Sequence, residues 1–371
     1  MKNKSFVCLA LAMALSLAAL TGCGQAESGT SPGASSGNSG STAGGSGVIE
    51  SEFGTLPADG PEFQLVLASD AVEGAVHSHA AYHFAEKLEE ASQGKITLTY
   101  YPNAQLGSDT EIMNSCITGD IDMDLMSGGL AQAIIPESCM FNIPFLNNAD
   151  DLDAIIKTMT DSEFREAFDD CYEEAGLKLL VLSLGQSFEL NTRKPVNTVD
   201  DIAGLKLRTA PGESYMAIWK ALGANPTPLA YSELYTALQQ GVVDGHDQML
   251  SNILSVKFYE QANYVMMTDH NFGSFTIVMN KAKYDSLPAE YQTFLDNAGD
   301  YISDYLSRAF QDAQEASRAS LEELGMVFTD LTEEQRAELM EKGKEGVSRV
   351  EAMVQNDELI DLYRSCLEAN K

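Results

Sequence analysis

Residues 204–250 decide how this chain folds, through three segments: GLKLRTAP at 204–211, ALGANP at 221–226 and ELYTALQQGVVDG at 233–245. In the first segment, Leu205 and Leu207 alternate with basic residues, and this period of two predicts a short strand with one buried face. The Pro–Gly pair at 211–212 then ends the strand. We therefore expect Arg208 at the carboxyl end of a strand.

An amphipathic helix is predicted directly after this strand, because apolar residues recur at helical spacing and a glycine follows them. The residues that carry the pattern are Tyr215, Ile218, Trp219, Leu222 and the terminating Gly223. In open α/β sheets, ligands bind beyond the carboxyl ends of strands. The guanidinium fork of Arg208 suits a carboxylate there, although an arginine in so acidic a chain more often forms a surface ion pair.

The charge of the chain excludes some classes of partner. There are 55 acidic and 23 basic residues, and the formal net charge is −32 at pH 7. This argues against binding to nucleic acid or to anionic lipid, although solubility alone would also explain an acidic surface. Four cysteines outside the N-terminal segment match no zinc motif, and their disulfide state stays open. They are Cys116, Cys139, Cys171 and Cys366.

The N-terminal residues predict export. Two lysines precede an apolar run at 6–20, and the segment ends LTGC at 20–23. This pattern predicts a lipoprotein signal peptide at 1–22 and lipidation of Cys23, with an ordinary signal peptide as the alternative. Residues 23–60 are predicted to be a flexible, Gly/Ser-rich tether. We therefore expect an extracytoplasmic protein that is anchored by lipid to the outer face of the cell membrane.

Strands and helices are predicted to alternate along the rest of the chain, which is typical of α/β layers. The predicted strands are 63–68, 95–101, 121–126, 177–184 and 275–280, and the predicted helices include 77–91, 110–118 and 288–325. The apolar run at 177–184 suits a buried parallel strand. A capping box at 332–335 predicts one more helix.

The three segments quoted first resemble the extracytoplasmic solute receptors of tripartite ATP-independent periplasmic (TRAP) transporters, of the dicarboxylate-receptor type. The family pattern also includes the Lys–Pro pair at 194–195 and the PNAQLG segment at 102–107. The resemblance covers nearly all of residues 61–330 and is weakest in the C-terminal helices. It implies a two-lobed, periplasmic-binding-protein-like α/β fold in which a long helix spans both lobes. The implied division is a first lobe at 61–185 plus 273–312 and a second lobe at 186–272 plus 313–371.

The resemblance also implies a role in binding for three residues. Arg208 matches the family's arginine that pairs with a carboxylate of the solute. Gln248 stands where the family usually has an asparagine that contacts the solute, so the amide is kept on a side chain one methylene longer. Tyr231 matches an aromatic position that stacks on the ligand, and core packing is its alternative role.

The chain departs from the family pattern near two other candidate positions. Many members have a second basic residue near Gly185, where this chain has Gln186, Ser187 and Phe188. Members specific for sialic-acid-like solutes carry a glutamate at the position of Ser127. We therefore expect a less polar cleft, with Ser127, Ser187 and Phe188 as further candidates. This favours a monocarboxylate with an apolar body, and the resemblance implies delivery to a small and a large membrane subunit.

Two alternative functions also fit parts of the sequence. His77, His79 and His83 lie close together in sequence, and a secreted zinc-dependent hydrolase would use such residues. A binding module that feeds a sensor kinase is the second alternative. Neither a nucleophile elbow nor a phosphate-binding loop is present in the sequence. We therefore predict neither catalysis nor a cofactor.

Overall fold

A computed structural model describes residues 47–371, and strands and helices alternate along most of that length. The strands are β1 (Val48–Ser51), β2 (Gly54–Pro57), β3 (Phe63–Ala68), β4 (Ile96–Tyr101), β5 (Met123–Ser127), β6 (Leu177–Thr192), β7 (Lys206–Thr209), β8 (Asn225–Pro228), β9 (Gly245–Gln248), β10 (Tyr264–Asn280) and β11 (Val327–Asp330). The helices are α1 (Val76–Ala91), α2 (Asp109–Thr118), α3 (Leu152–Thr160), α4 (Glu163–Glu174), α5 (Glu213–Ala221), α6 (Tyr231–Gln240), α7 (Leu250–Ser255), α8 (Lys281–Asp285), α9 (Ala289–Glu323), α10 (Glu333–Val354) and α11 (Asp357–Asn370).

Two long antiparallel strands, β6 and β10, form the middle of the main sheet. The strand order is β4-β3-β5-β10-β6-β9-β7-β8, and β11 also pairs with β10. One end of β10 pairs with β5, and its other end pairs with β11. Only the last four residues of β6 pair with β9. The two long strands therefore run through both halves of the sheet, which is a mixed, two-lobed periplasmic-binding-protein fold, as predicted.

The predictions for these two long strands were partly wrong. The apolar run at 177–184 is buried as expected, but β6 is antiparallel to both of its neighbours and extends to Thr192. Burial on both faces explains the apolar run without requiring parallel pairing. In β10, the polar residues 268–271 interrupt the apolar pattern, so the sequence revealed only its second part. The short strand β11 was not predicted.

Helix α9 covers the edge of β6 that β9 does not reach. The hydroxyl of Ser303 accepts a hydrogen bond from the backbone N–H of Leu182 (3.1 Å), and that of Ser307 accepts one from Leu184 (3.0 Å). One turn earlier, a Cβ at Gly299 would overlap the carbonyl group of Leu180. Because these three positions recur every four residues, one face of α9 takes the place of a neighbouring strand.

Both predicted ends of α9 and the predicted start of α10 are confirmed. Pro288 caps the start of α9, where its fixed φ suits a helix entry, and the left-handed Gly325 follows its end. At the start of α10, Thr332 and Gln335 form a complete capping box.

The N-terminal predictions are corrected at one boundary. The signal peptide at 1–22, the lipidation of Cys23 and the tether up to residue 46 lie outside the described residues. Strands β1 and β2, however, form a hairpin inside the range assigned to the tether. Phe53 packs edge-on against Phe294 of α9, and Leu56 is fully buried. The Gly/Ser-rich segment therefore ends before these apolar residues, which pack the hairpin against the rest of the fold.

Helix α11 brings the C-terminus back to the helices that follow β5. Tyr363 packs edge-on against Phe141 and Phe164, at ring-centroid distances of 5.4 and 4.9 Å. The predicted division of the chain assigned α11 to the second lobe, whereas Phe141 and Phe164 were assigned to the first. The lobe boundaries therefore stay a prediction.

Two further features concern chemistry outside the sheet. The four cysteines of the described region carry free thiols, and two of them, Cys116 and Cys139, are buried. Across residues 47–371, the structure contains no helix of the length and apolar character needed to cross a membrane.

We expect Ser303→Ala to lower the free energy of unfolding by about 1–3 kcal/mol, because the buried N–H of Leu182 loses its acceptor. Ser320→Ala is the matched control, since its exposed hydroxyl bonds only to its own helix, and we expect a change of less than about 0.5 kcal/mol. Urea unfolding of both variants measures the difference. Equal losses would show that α9 does not depend on this contact.

Candidate functional site

A cavity of about 70 Å³ lies where strands from both halves of the sheet end. Its lining includes residues at or just beyond the carboxyl ends of β3, β5, β7 and β9, namely Asp70, Ser127, Arg208 and Gln248. β3 is parallel to β5, and β7 is parallel to β9, so their carboxyl ends meet in pairs. This is the position at which α/β sheets bind ligands.

Arg208 is the basic residue of the cavity lining. Its side chain is buried, with 4% of the residue exposed, and its Nε donates a hydrogen bond to the carbonyl of Leu229 (3.0 Å). The guanidinium carbon lies 5.8 Å from the ring centroid of Tyr231. Among the residues that the structure describes, no carboxylate lies within 4.0 Å of the guanidinium nitrogens. The alternative role of Arg208, a surface ion pair, is therefore not seen, and a buried cation faces the cavity.

Gln248 and Tyr231 place two further polar groups beside this arginine. The side-chain amide oxygen of Gln248 accepts hydrogen bonds from the backbone N–H of Met249 (2.9 Å) and from the side-chain amide of Asn252 (3.2 Å). These bonds fix the amide and leave its NH₂ group without a protein partner among residues 47–371. The hydroxyl of Tyr231 is also buried without a hydrogen-bond partner in the described structure. Both groups are available to a ligand.

Ser127 and Phe188 also line the cavity, but Ser187 does not. The Ser127 hydroxyl hydrogen-bonds to the hydroxyl of Tyr215 (2.9 Å), and burial raises the pKa of Tyr215 to about 12. Ser187 donates a hydrogen bond to the buried carboxyl group of Glu189. Successive side chains of a strand point to opposite faces, so Phe188 reaches the cavity and its two neighbours in β6 do not.

Asp247 supplies a carboxylate on the same side as Arg208. It accepts a hydrogen bond from Nε1 of Trp219 (2.8 Å), and Nε2 of His270 lies 3.5 Å from it. Burial alone would raise the pKa of Asp247, but the contacts with His270 and Trp219 and the charge of Arg208 hold it below its ordinary value. Asp247 is therefore ionised at neutral pH.

Asp70 and Asp109 lie in the lining as well, although neither is among the site residues predicted from the sequence. Both residues are half-buried, and each carboxyl group lies close enough to affect the pKa of the other. Burial, followed by the charge of Asp70, raises the pKa of Asp109 well above its ordinary value. The pKa of Asp70 is raised less, because burial is opposed by Asp109 and by Arg208. Position in the sequence could have indicated Asp70 as a site residue, because Asp70 follows the end of β3 just as Arg208 lies at the end of β7.

The three histidines that suggested zinc are placed differently from one another. His77 is buried and stacks on Phe275, with ring centroids 4.8 Å apart, and burial lowers the pKa of His77 to about 4. His79 is exposed, and His83 hydrogen-bonds to the hydroxyl of Tyr301 (3.1 Å). Within the described chain, no group of three or more His, Cys, Asp and Glu residues is placed to hold a metal ion.

Comparison with known proteins identifies the family. Residues 67–352 match the family model described as bacterial extracellular solute-binding protein, family 7 (DctP). The chain is 29% identical over 270 residues to the sialic acid-binding periplasmic protein of Vibrio cholerae, covering 72% of this chain and 83% of that protein. Because the family model matches most of the chain, the protein belongs to this family of extracellular solute-binding proteins.

Solved structures agree with this identification. The sugar acid-binding protein DctPAm of Advenella mimigardefordensis, in complex with galactonate, superposes with a TM-score of 0.79 at 25% identity, covering 84% of this chain and all of that one. The periplasmic ectoine-binding protein of the TeaABC TRAP transporter of Halomonas elongata gives a TM-score of 0.78 at 26% identity, covering 83% of this chain and all of that one.

The carboxyl group of Asp124, near the cavity, predicts a particular pH dependence of stability. Asp124 is fully buried, and neither of its oxygens has a hydrogen-bond partner among residues 47–371. Burial, with the charge of Asp70, raises the pKa of Asp124 well above its ordinary 3.8. An acid with a raised folded-state pKa stabilises the fold at low pH, and that contribution is lost as the pH rises through the folded-state value.

We therefore expect Asp124→Asn to gain stability relative to the parent as the pH rises above about 4, by up to about 1.4 kcal/mol per pH unit. Urea unfolding at pH values from 4 to 8 measures this difference. Asp59→Asn, at an exposed position, is the control and should track the parent. A difference between Asp124→Asn and the parent that does not change with pH would contradict the assignment.

Proposed function

We propose that this protein is the extracytoplasmic receptor of a TRAP-type secondary transporter and that it captures a carboxylate solute between its two lobes. The observation that carries this proposal is Arg208, a buried arginine that lines a cavity at the carboxyl end of β7 without an ion-pair partner in the described structure. Keeping a guanidinium in a low-dielectric cavity is costly unless an anion joins it. A carboxylate matches both its charge and its forked geometry.

The groups around Arg208 suggest how the carboxylate binds. One carboxylate oxygen would accept from the guanidinium, and the other from the free NH₂ group of Gln248. Tyr231 closes the space beside the guanidinium, and its unpartnered hydroxyl is a further donor. Elsewhere in the same lining, Phe188 and Phe275 offer apolar surface to the body of the solute. Arg208, Gln248, Tyr231, Ser127 and Phe188 are the proposed binding residues, and Ser187 is left out.

The relatives support this class of function. Their names describe binding of sialic acid, galactonate and ectoine, each of which carries a carboxylate. The ectoine-binding relative belongs to a TRAP transporter, so the proposed partners of this chain are the small and large membrane subunits of such a transporter. The protein would act as a receptor and not as an enzyme. The histidine geometry offers no support for the zinc-dependent hydrolase, and no contact in the described residues favours a sensor kinase as the partner.

We also propose the lipoprotein form. A lipid on Cys23, followed by a tether that ends where the β1–β2 hairpin begins, would hold the receptor at the outer face of the cell membrane. The two lobes would close on the solute by a hinge motion. The proposed boundary between the lobes lies near residues 185–186 of β6 and 272–273 of β10.

We expect Arg208→Gln to weaken carboxylate binding by about 2–5 kcal/mol, because one partner of a buried, hydrogen-bonded charge pair is removed. The measurement uses the full chain with the substitution Cys23→Ser, because this substitution prevents lipidation. Titration with a panel of organic acids is followed through Trp219, the one tryptophan of the chain, which hydrogen-bonds to Asp247 in the cavity lining.

Arg349→Gln, at an exposed position, is the matched control and should bind like the parent. If the acids bind both variants equally well, Arg208 is not the anchor. If only neutral solutes bind the parent, the proposal of a carboxylate solute is wrong.

A further inference from the structure

The charges that line the cavity do not suit a simple anion. Arg208 contributes one positive charge, and Asp247 contributes one negative charge that its hydrogen bonds keep in place. Asp70 and Asp109 then add further acidity to the same cavity, and His77 is neutral because its pKa is about 4.

Asp70 and Asp109 are half-buried and lie in the same lining as Arg208 and Asp247. Two neighbouring carboxyl groups repel each other when both are ionised, so they titrate as a pair. Burial raises the pKa of each, and the charge of Arg208 opposes that rise at both. The lining thus holds one guanidinium and three carboxyl groups, and a dicarboxylate would add two more carboxylates to them.

Unsatisfied groups in the same lining indicate that a ligand completes the site. Only 4% of Arg208 is exposed, and it has no ion-pair partner within the described chain. His77 is equally enclosed, and its Nδ1 has no hydrogen-bond partner there. Buried polar groups in proteins are nearly always paired. These two side chains therefore belong to a binding site, and the acidic pair is part of its chemistry.

We propose that the solute is a small zwitterion whose carboxylate binds Arg208 and Gln248 and whose protonated nitrogen binds the Asp70–Asp109 pair. This inference rests on the proposed function, because both place the carboxylate at Arg208. It adds a second recognition point, which binds the cationic end of the solute and is contributed by the loop after β3 and the start of α2. A bound zwitterion leaves the charge of the cavity unchanged and gives each charged end a partner of opposite sign.

The aromatic residues of the cavity fit a cationic nitrogen as well. Phe188 lines it beside the stacked pair of His77 and Phe275. The negative face of an aromatic ring attracts an ammonium or amidinium group, and more strongly when that group is desolvated. An N–H cation would thus donate hydrogen bonds to the carboxylates and rest against rings. A sugar acid, by contrast, would bring hydroxyl donors without using the negative charge.

Matched pairs of solutes test the nitrogen directly. Each zwitterion is compared with the carboxylate of the same shape that lacks the nitrogen: pipecolate with cyclohexanecarboxylate, proline with cyclopentanecarboxylate, and 4-aminobutyrate with pentanoate. Thermal unfolding and calorimetric titration use the full chain with Cys23→Ser. We expect at least one zwitterion to bind at least tenfold more tightly than its partner. If no zwitterion exceeds its partner, the proposal is wrong.

Variants of the acidic pair locate the interaction. Asp70→Asn should reduce the affinity for the preferred zwitterion at least tenfold, and should leave the affinity for its nitrogen-free partner unchanged or raised. Asp109→Asn, at the second carboxyl group of the pair, should also lower the affinity for the zwitterion and leave that for its nitrogen-free partner unchanged. Asp59→Asn, on the surface, should bind like the parent. A zwitterion that binds Asp70→Asn as tightly as the parent would overturn the assignment.

The outcomes separate this inference from the proposed function. If carboxylates bind through Arg208 whether or not they carry nitrogen, the receptor proposal stands and the zwitterion proposal falls. If galactonate binds more tightly than every zwitterion and depends on Asp70, hydroxyl groups are the partners of the pair, and the cation is again excluded. If no carboxylate of either kind depends on Arg208, both proposals fail.

Discussion

The contact between helix α9 and the uncovered edge of β6 is the constraint on which the rest of this structure depends. β6 and β10 must run through both halves of the sheet, yet β9 reaches only the last four residues of β6. The remaining edge would expose backbone groups, and hydroxyls spaced four residues apart on α9 satisfy two of its N–H groups. A small residue at Gly299 permits the close approach that these short side chains need. The long helix is thus required by the long strand.

Burial next to this sheet then sets the charge states of the cavity. Where hydrogen bonds reach a carboxylate, as at Asp247, the group stays ionised in spite of burial. Where none does, as at Asp124, burial raises the pKa and favours the neutral acid. Neighbouring acids in the same environment therefore differ in charge because their partners differ. The acidity of the whole chain, by comparison, says little about the field that a solute meets inside the cavity.

The sequence predicted the structure where a local pattern determines it. It did not predict features that depend on contacts between residues far apart in the chain. An unbroken helical pattern and a capping box sufficed for α9 and α10, and the period of two around Arg208 placed that residue at a strand end. The same period cannot tell which face of β6 meets the cavity, so Ser187 and Phe188 looked equivalent. Asp70 and Asp109 each resemble an ordinary polar residue at the end of a strand or the start of a helix. Their significance arises only from their contact in three dimensions.

The two recognition points of the proposed site lie on different parts of the sheet, and this bears on lobe closure. Arg208 and Gln248 end strands β7 and β9, whereas Asp70 and Asp109 follow β3 and begin α2. The predicted division assigns the first pair to one lobe and the second pair to the other. A solute with a single charged group would bind strongly to one lobe only. A zwitterion would engage both, and a ligand favours the closed state only by the binding energy that it gains there over the open state. Opposite charges on the solute would thus supply the affinity difference that hinge closure requires.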